Sequence, residues 1–128
     1  MGTCCGIALR QGDTYTTIYC HWDGYPKNML PMLRNNYNSF ELANKLISMG
    51  DASSIEKKLE PDPSKPHTFM DSQEDVCVFY HRDRGESWES CHPTCFTKQE
   101  LFSRQSFEFI YIFEDGEWNA YTMNGSKI

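Results

Sequence analysis

Glu108-Phe109-Ile110-Tyr111-Ile112-Phe113-Glu114-Asp115-Gly116-Glu117-Trp118-Asn119-Ala120-Tyr121-Thr122 reads as a β-hairpin. Two runs rich in β-branched and aromatic residues flank Asp115-Gly116, and Asp-Gly is among the strongest signals for a two-residue hairpin turn. The start of the chain repeats the pattern. Cys5 to Arg10 and Tyr15 to His21 are short runs of the same character separated by Gln11-Gly12-Asp13, which predicts a second hairpin. Between the hairpins the apolar spacing turns helical. Met29, Leu30, Met32 and Leu33 predict a helix over Asn28 to Asn36, with Pro31 tolerable only in its first turn. Ser39 as cap, Glu41 in the first turn and the stripe Phe40, Leu42, Ala43, Leu46, Ile47, ended by Gly50, predict an amphipathic helix over Ser39 to Met49. Asp51 to Ser54 reads as a turn, and Glu60 to Pro66 is too rich in proline for a regular element. A mobile, exposed loop is therefore expected around 60–75. Val76 to His81 predicts a central strand, and Thr97 with Glu100 predicts a capping box on a short helix. The order is roughly ββααβαββ. The expected fold is a single α+β domain over 1–128, an antiparallel sheet with two to three helices packed on one face.

The chain has 128 residues, room for one core of ordinary size. Its 39% hydrophobic and 14% aromatic content, with 23% charged, excludes a disordered chain. No apolar run approaches the roughly 20 residues of a membrane span, and Met1-Gly2-Thr3-Cys4-Cys5 lacks the basic and apolar regions of a secretory signal. A cytoplasmic protein without a membrane partner is expected. The formal charge of −6 argues against duplex nucleic acid as a partner, because many phosphates would have to be neutralised. In a reducing compartment the six cysteines are expected to be free thiols or metal ligands rather than disulfides.

Two polar, aromatic motifs interrupt the strand and loop patterns: Tyr19-Cys20-His21-Trp22-Asp23-Gly24-Tyr25-Pro26 and Tyr80-His81-Arg82-Asp83-Arg84-Gly85-Glu86. Each is predicted at a strand end. If those ends lie side by side, Tyr19, His21, Trp22, Asp23, Tyr25, His81, Arg82, Asp83 and Arg84 would bring a histidine pair and two guanidiniums to stacking surfaces. That combination suits a small anionic or aromatic ligand such as a nucleotide. The same residues also serve purely structural ends: Trp22 and Tyr25 as loop anchors, His21 bonded to backbone, Asp23 paired with Arg82 or Arg84.

These motifs, with Leu46-Ile47-Ser48-Met49-Gly50-Asp51-Ala52-Ser53-Ser54 between them and Phe113-Glu114-Asp115-Gly116-Glu117-Trp118 at the end, resemble a family of small phage and prophage proteins of uncharacterised function. The likeness runs from about Ile18 to Trp118. It implies a viral or prophage accessory protein acting in a bacterial host cytoplasm. The expected function is non-enzymatic interference with a host process such as defence, by binding a host protein or sequestering a small anionic ligand. Acidity favours the protein partner, since charge complementarity steers association.

Two other chemistries compete. A cysteine-dependent hydrolase or transferase would use Cys20 or Cys5 as nucleophile. Cys20 and His21 alternate faces on one strand, which makes His81 the better base for Cys20. A zinc-stabilised interaction module would use Cys91, His92 and Cys95, whose atom types suit zinc although no second matching pair exists. Otherwise no cofactor is expected. A homodimer would follow if Phe107 to Phe113 lay at a sheet edge.

Overall fold

The computed structural model describes residues 3–104 and 106–128; Met1 and Gly2 of the N-terminal run lie outside them. β1 (Cys5–Gln11) and β2 (Thr14–Cys20) form the expected hairpin, paired antiparallel from Gln11 with Thr14 to Cys5 with Cys20. α1 (Pro26–Asn36) begins earlier than predicted because Pro26 starts it, and a proline in the first turn sacrifices no helical hydrogen bond. That start places Pro31 inside the helix rather than in its first turn, where its missing N–H removes one bond to Lys27. Both residues are exposed, so the unbonded carbonyl is at the solvent side of the helix.

α2 (Phe40–Ile47) is capped by the Ser39 hydroxyl, which accepts from the Leu42 N–H at 3.2 Å, and buries Ala43, Leu46 and Ile47. The stretch read as a turn after it contains a short strand, β3 (Ala52–Ser54). The predicted strand over Val76 to His81 is cut to β4 (Val78–Phe79), and Tyr80 opens α3 (Tyr80–Arg84) instead. The Asp83 carboxylate accepts the Phe79 N–H at 2.8 Å, a reach back to the cap residue that favours the helix. The Cys91–Cys95 region, read as a loop, contains the end of α4 (Trp88–Cys91) and the strand β5 (Thr94–Phe96). α5 (Lys98–Phe102) carries the predicted capping box of Thr97 and Glu100. β6 (Phe109–Glu114) and β7 (Glu117–Thr122) turn through Asp115 and Gly116 at φ 53° and 78°, the double positive φ of the expected Asp-Gly turn.

The strands form one sheet in the order β4-β3-β2-β1-β6-β7, with β5 pairing β2 beyond β3. It is mixed rather than antiparallel: β1 runs parallel to β6, and β2 parallel to β3. Local turns fix each hairpin, but burial decides how the hairpins join. β1 is buried from Cys5 through Leu9 and so takes the centre, as strands covered on both faces do. Its Cys5, Ile7 and Leu9 meet Met29, Leu33, Ala43, Leu46 and Ile47 of α1 and α2, whereas Ala8 meets Leu101 of α5. Helices therefore cover both faces, not one, and the order is ββααββααβαββ. β6 lies between β1 and β7, which closes the dimer route through its edge.

Residues 60–75 are irregular, as their composition requires, and are stapled by side chains. The Gln73 amide accepts the Asp62 N–H and donates to the Asp62 and Lys65 carbonyls, while His67 Nδ1 accepts the Gln73 N–H. Among the described residues no helix is long and apolar enough to cross a membrane.

Candidate functional site

Tyr19 and His21 are two residues apart and share one face of the strand end, while Cys20 points into the opposite core. The hairpin register pairs Cys5 with Cys20, which sets Cys4 opposite His21. The Tyr19 hydroxyl lies 2.7 Å from His21 Nδ1 and donates to Cys4 Sγ at 3.0 Å; Cys4 Sγ and His21 Nδ1 are 3.9 Å apart. Burial, then the hydrogen bond to Cys4, push the Tyr19 phenol well above its ordinary value. Trp22 meets the His21 ring edge-on with centroids 4.7 Å apart.

The loop that follows is held from three sides. The Gly24 N–H donates to the Thr3 carbonyl at 2.9 Å, the Tyr111 hydroxyl donates to the Gly24 carbonyl, and the Asn28 amide donates to the Asp23 carbonyl at 2.8 Å. A Cβ on Gly24 would stand 2.7 Å from the Thr3 oxygen and 2.8 Å from Cys5 Cβ, so only glycine allows this docking. On this pinned loop Trp22 and Tyr25 remain 43% and 42% exposed. Asp23 contributes backbone to the loop and forms no ion pair with Arg82 or Arg84.

The second motif divides by role. Arg82 donates to both Asp83 oxygens at 2.9 and 3.0 Å, to the Leu59 carbonyl at 2.8 Å and to the Cys77 carbonyl at 3.0 Å. Asp83, its side chain 3% exposed, also faces His67 Nε2 at 3.4 Å. Both expected ligand residues are thereby consumed in holding residues 58–83 together. His81 Nδ1 bonds the Glu86 carbonyl at 2.8 Å, and the ring packs on Trp88. Arg84 differs from Arg82. Its guanidinium stacks 4.6 Å over Phe69 and 5.7 Å over Tyr80, exposed and without an ion pair among the described residues.

The two motifs do not form one pocket. β3 separates β2 from β4 and runs parallel to the first and antiparallel to the second; Cys20 and Phe79 both pair with Ala52, and the chain runs on from them in opposite directions. His21 and His81 do not meet. Asp51 joins the motifs instead: its carboxylate accepts the Tyr19 N–H at 2.8 Å and its carbonyl the Tyr80 N–H at 3.1 Å. Two shallow depressions of about 220 and 270 Å³ share this residue, one reaching Arg104 and Phe107, the other Arg84 and Glu86. A more enclosed cleft of about 430 Å³ lies elsewhere, beside Arg10, Lys98 and Tyr121, and there Glu114 is already bonded by Arg10, Asn119 and Tyr121.

Burial raises the Asp51 carboxyl above its ordinary 3.8, against the lowering hydrogen bond from Tyr19. With the folded value above the unfolded one, the native state binds more protons across that interval, and the stability that the neutral carboxyl contributes is lost as pH rises through it. Asp51→Asn keeps an acceptor for Tyr19 without the charge. It is expected to be more stable than the parent at pH 7 and to lose that advantage as pH falls below the carboxylate range, measured by urea unfolding at both pH values.

The other sequence candidates fall apart in space. Cys20 is fully buried and donates to the Trp22 and Ser53 carbonyls, on the face opposite His21, and His81 is bonded elsewhere. Cys91 donates to the Ser87 carbonyl, His92 Nδ1 contacts the Pro93 carbonyl, and Cys95 lies near the Thr16 hydroxyl. A helix end, a loop and a strand carry these three, and no three His, Cys, Asp or Glu groups among the described residues are placed to hold a metal. Comparison with protein-family models, curated proteins and solved structures finds no match.

Cys4 and Asp51 are the site residues that sequence reasoning missed. A two-residue turn at Gly12-Asp13 already implies that Cys4 lies opposite His21, so the first was within reach of register arithmetic. The second depends on the pairing of β2 with β3, which no local signal announces.

Proposed function

We propose that this chain is a non-enzymatic accessory protein of phage type that binds a bacterial host protein through the loop bearing Trp22 and Tyr25, and so interferes with a host process such as defence. The observation that carries this reading is the pinned 21–25 loop, which holds two large aromatics in water. Trp, Tyr and Arg dominate the energetics of protein interfaces, and a loop already ordered spends less binding free energy on its own immobilisation. A small ligand fits less well. The depressions around Asp51, about 220 and 270 Å³, fall below the roughly 300–1,000 Å³ of ordinary ligand pockets, and the one of about 370 Å³ beside Phe69, Met70 and Arg84 is open to solvent rather than enclosed. A charge of −6 suits a basic partner.

Trp22→Ala and Tyr25→Ala are each expected to weaken capture of the host partner by about thirtyfold, the ~2 kcal/mol of an interface hot spot, with the unfolding midpoint nearly unchanged. Association should slow as salt rises. Quantitative pulldown from host lysate, with native mass spectrometry of the purified protein, checks both. Equal capture by parent and variants rejects the surface. A nucleotide-sized adduct on the parent that the variants lose would replace the protein partner with a small ligand.

A further inference from the structure

We propose that Cys4 is a reactive thiol whose proton passes through the Tyr19 hydroxyl to His21, making it a site of exchange with low-molecular-weight disulfides. The geometry is that of a nucleophile and a base joined by a hydroxyl relay. Tyr19 Oη stands 3.0 Å from Cys4 Sγ and 2.7 Å from His21 Nδ1, while the direct sulfur–nitrogen distance of 3.9 Å is too long for a good bond. A phenol carries one proton and can donate to only one neighbour at a time. The donation from Tyr19 to Cys4 Sγ is the arrangement in which the thiolate accepts; in the neutral arrangement the thiol donates to the phenol oxygen and the phenol donates to Nδ1. Shifting both protons one step leaves a Cys4 thiolate accepting from Tyr19 and an imidazolium at His21.

Exchange then balances. The thiolate attacks one sulfur of the small disulfide, a new S–S bond forms as the old one breaks, and the departing thiolate takes the proton from His21 through the same relay. Cys4 is oxidised to a mixed disulfide and half of the reagent is reduced to thiol.

The surroundings select this cysteine. Cys4 and His21 are half-buried at the sheet end, open to a small reagent, whereas Cys5, Cys20, Cys77 and Cys91 are buried. Burial raises the Cys5, Cys77 and Cys91 thiols, Cys77 to about 11, which keeps them unreactive. The charged and titratable groups near Cys4 are Tyr19 on β2, His21 just after it, Cys5 beside it, Tyr80 across Asp51, and Glu108, whose carboxylate accepts the Cys4 N–H at 3.0 Å. Glu108 opposes the thiolate and bounds the gain. Cys95 is the internal reference: exposed, with only the Thr16 hydroxyl 3.7 Å from its sulfur.

Glutathione disulfide is the probe, with the modified cysteine located and timed by peptide mass spectrometry. At pH 7 Cys4 is expected to react about tenfold faster than Cys95 in the folded protein and at the same rate in urea. Tyr19→Phe keeps the ring packed on Phe107 and removes the relay. It and His21→Gln should bring Cys4 down to the Cys95 rate and move the inflection of its rate–pH profile upward, leaving Cys95 unchanged. A Cys4 rate equal to that of Cys95 in the folded parent, or one untouched by Tyr19→Phe, overturns the proposal.

Discussion

Asp83→Ala is expected to remove about 3–5 kcal/mol of stability, the loss that follows when one partner of a buried ion pair is deleted. The side chain is 3% exposed and serves three elements together. It accepts the Phe79 N–H at the start of α3, takes two bonds from the Arg82 guanidinium, and faces the His67 ring of the 60–75 strap. Without it Arg82 keeps the Leu59 and Cys77 carbonyls but no counter-charge, and the N–H of fully buried Phe79 has no acceptor. Urea unfolding followed by tryptophan fluorescence measures the loss. A variant that unfolds with the parent's midpoint but no longer binds its partner would return Asp83 to the ligand role its motif suggests.

Gly50→Ala is expected to lose about 3 kcal/mol, combining the left-handed penalty of a residue with a Cβ and the strain of overpacking. Gly50 has φ 86°, and a Cβ there would stand 2.5 Å from the Cys91 carbonyl oxygen and 3.0 Å from the Trp88 ring. The obstacle at Cys91 is backbone, which cannot swing aside as a side chain can. The same carbonyl accepts the Asp51 N–H at 2.8 Å, so relief of the clash would shift the residue that ties Tyr19 to Tyr80. Gly85 supplies the comparison. Its φ is 80°, but nothing lies within 4 Å of a Cβ there, and Gly85→Ala should lose only the conformational part, about 1–2 kcal/mol. Equal losses in the two variants, from parallel thermal and urea unfolding, would remove close packing as the reason for Gly50.

The reading of the motifs from sequence succeeded where a residue's role depends on its immediate neighbours. Trp22 and Tyr25 sit on a loop after a strand, as glycine and proline beside them require. It did not tell Arg82 from Arg84, which look alike in sequence and differ only in what other segments bring to them. Leu59 and Cys77 offer Arg82 their carbonyls across the strap, while Phe69 and Tyr80 offer Arg84 only ring faces. Cys20 and Cys4 exchanged importance for a related reason: alternation along β2 turns Cys20 into the core, and the hairpin partner brings Cys4 to the face of Tyr19 and His21.

The sequence by itself determined both hairpins, the capped helix after Ser39, the capping box of Thr97 and Glu100, and the α+β class, because turns, caps and apolar periods act over a few residues. Tertiary structure alone decided that β1 lies parallel to β6, that helices cover both faces, and that the chain runs on from β2 and β4 in opposite directions. Those choices rest on burying the apolar sides of distant segments against each other, a non-directional force that depends on the whole chain. They are also what separates His21 from His81 and places Asp51 between the two motifs.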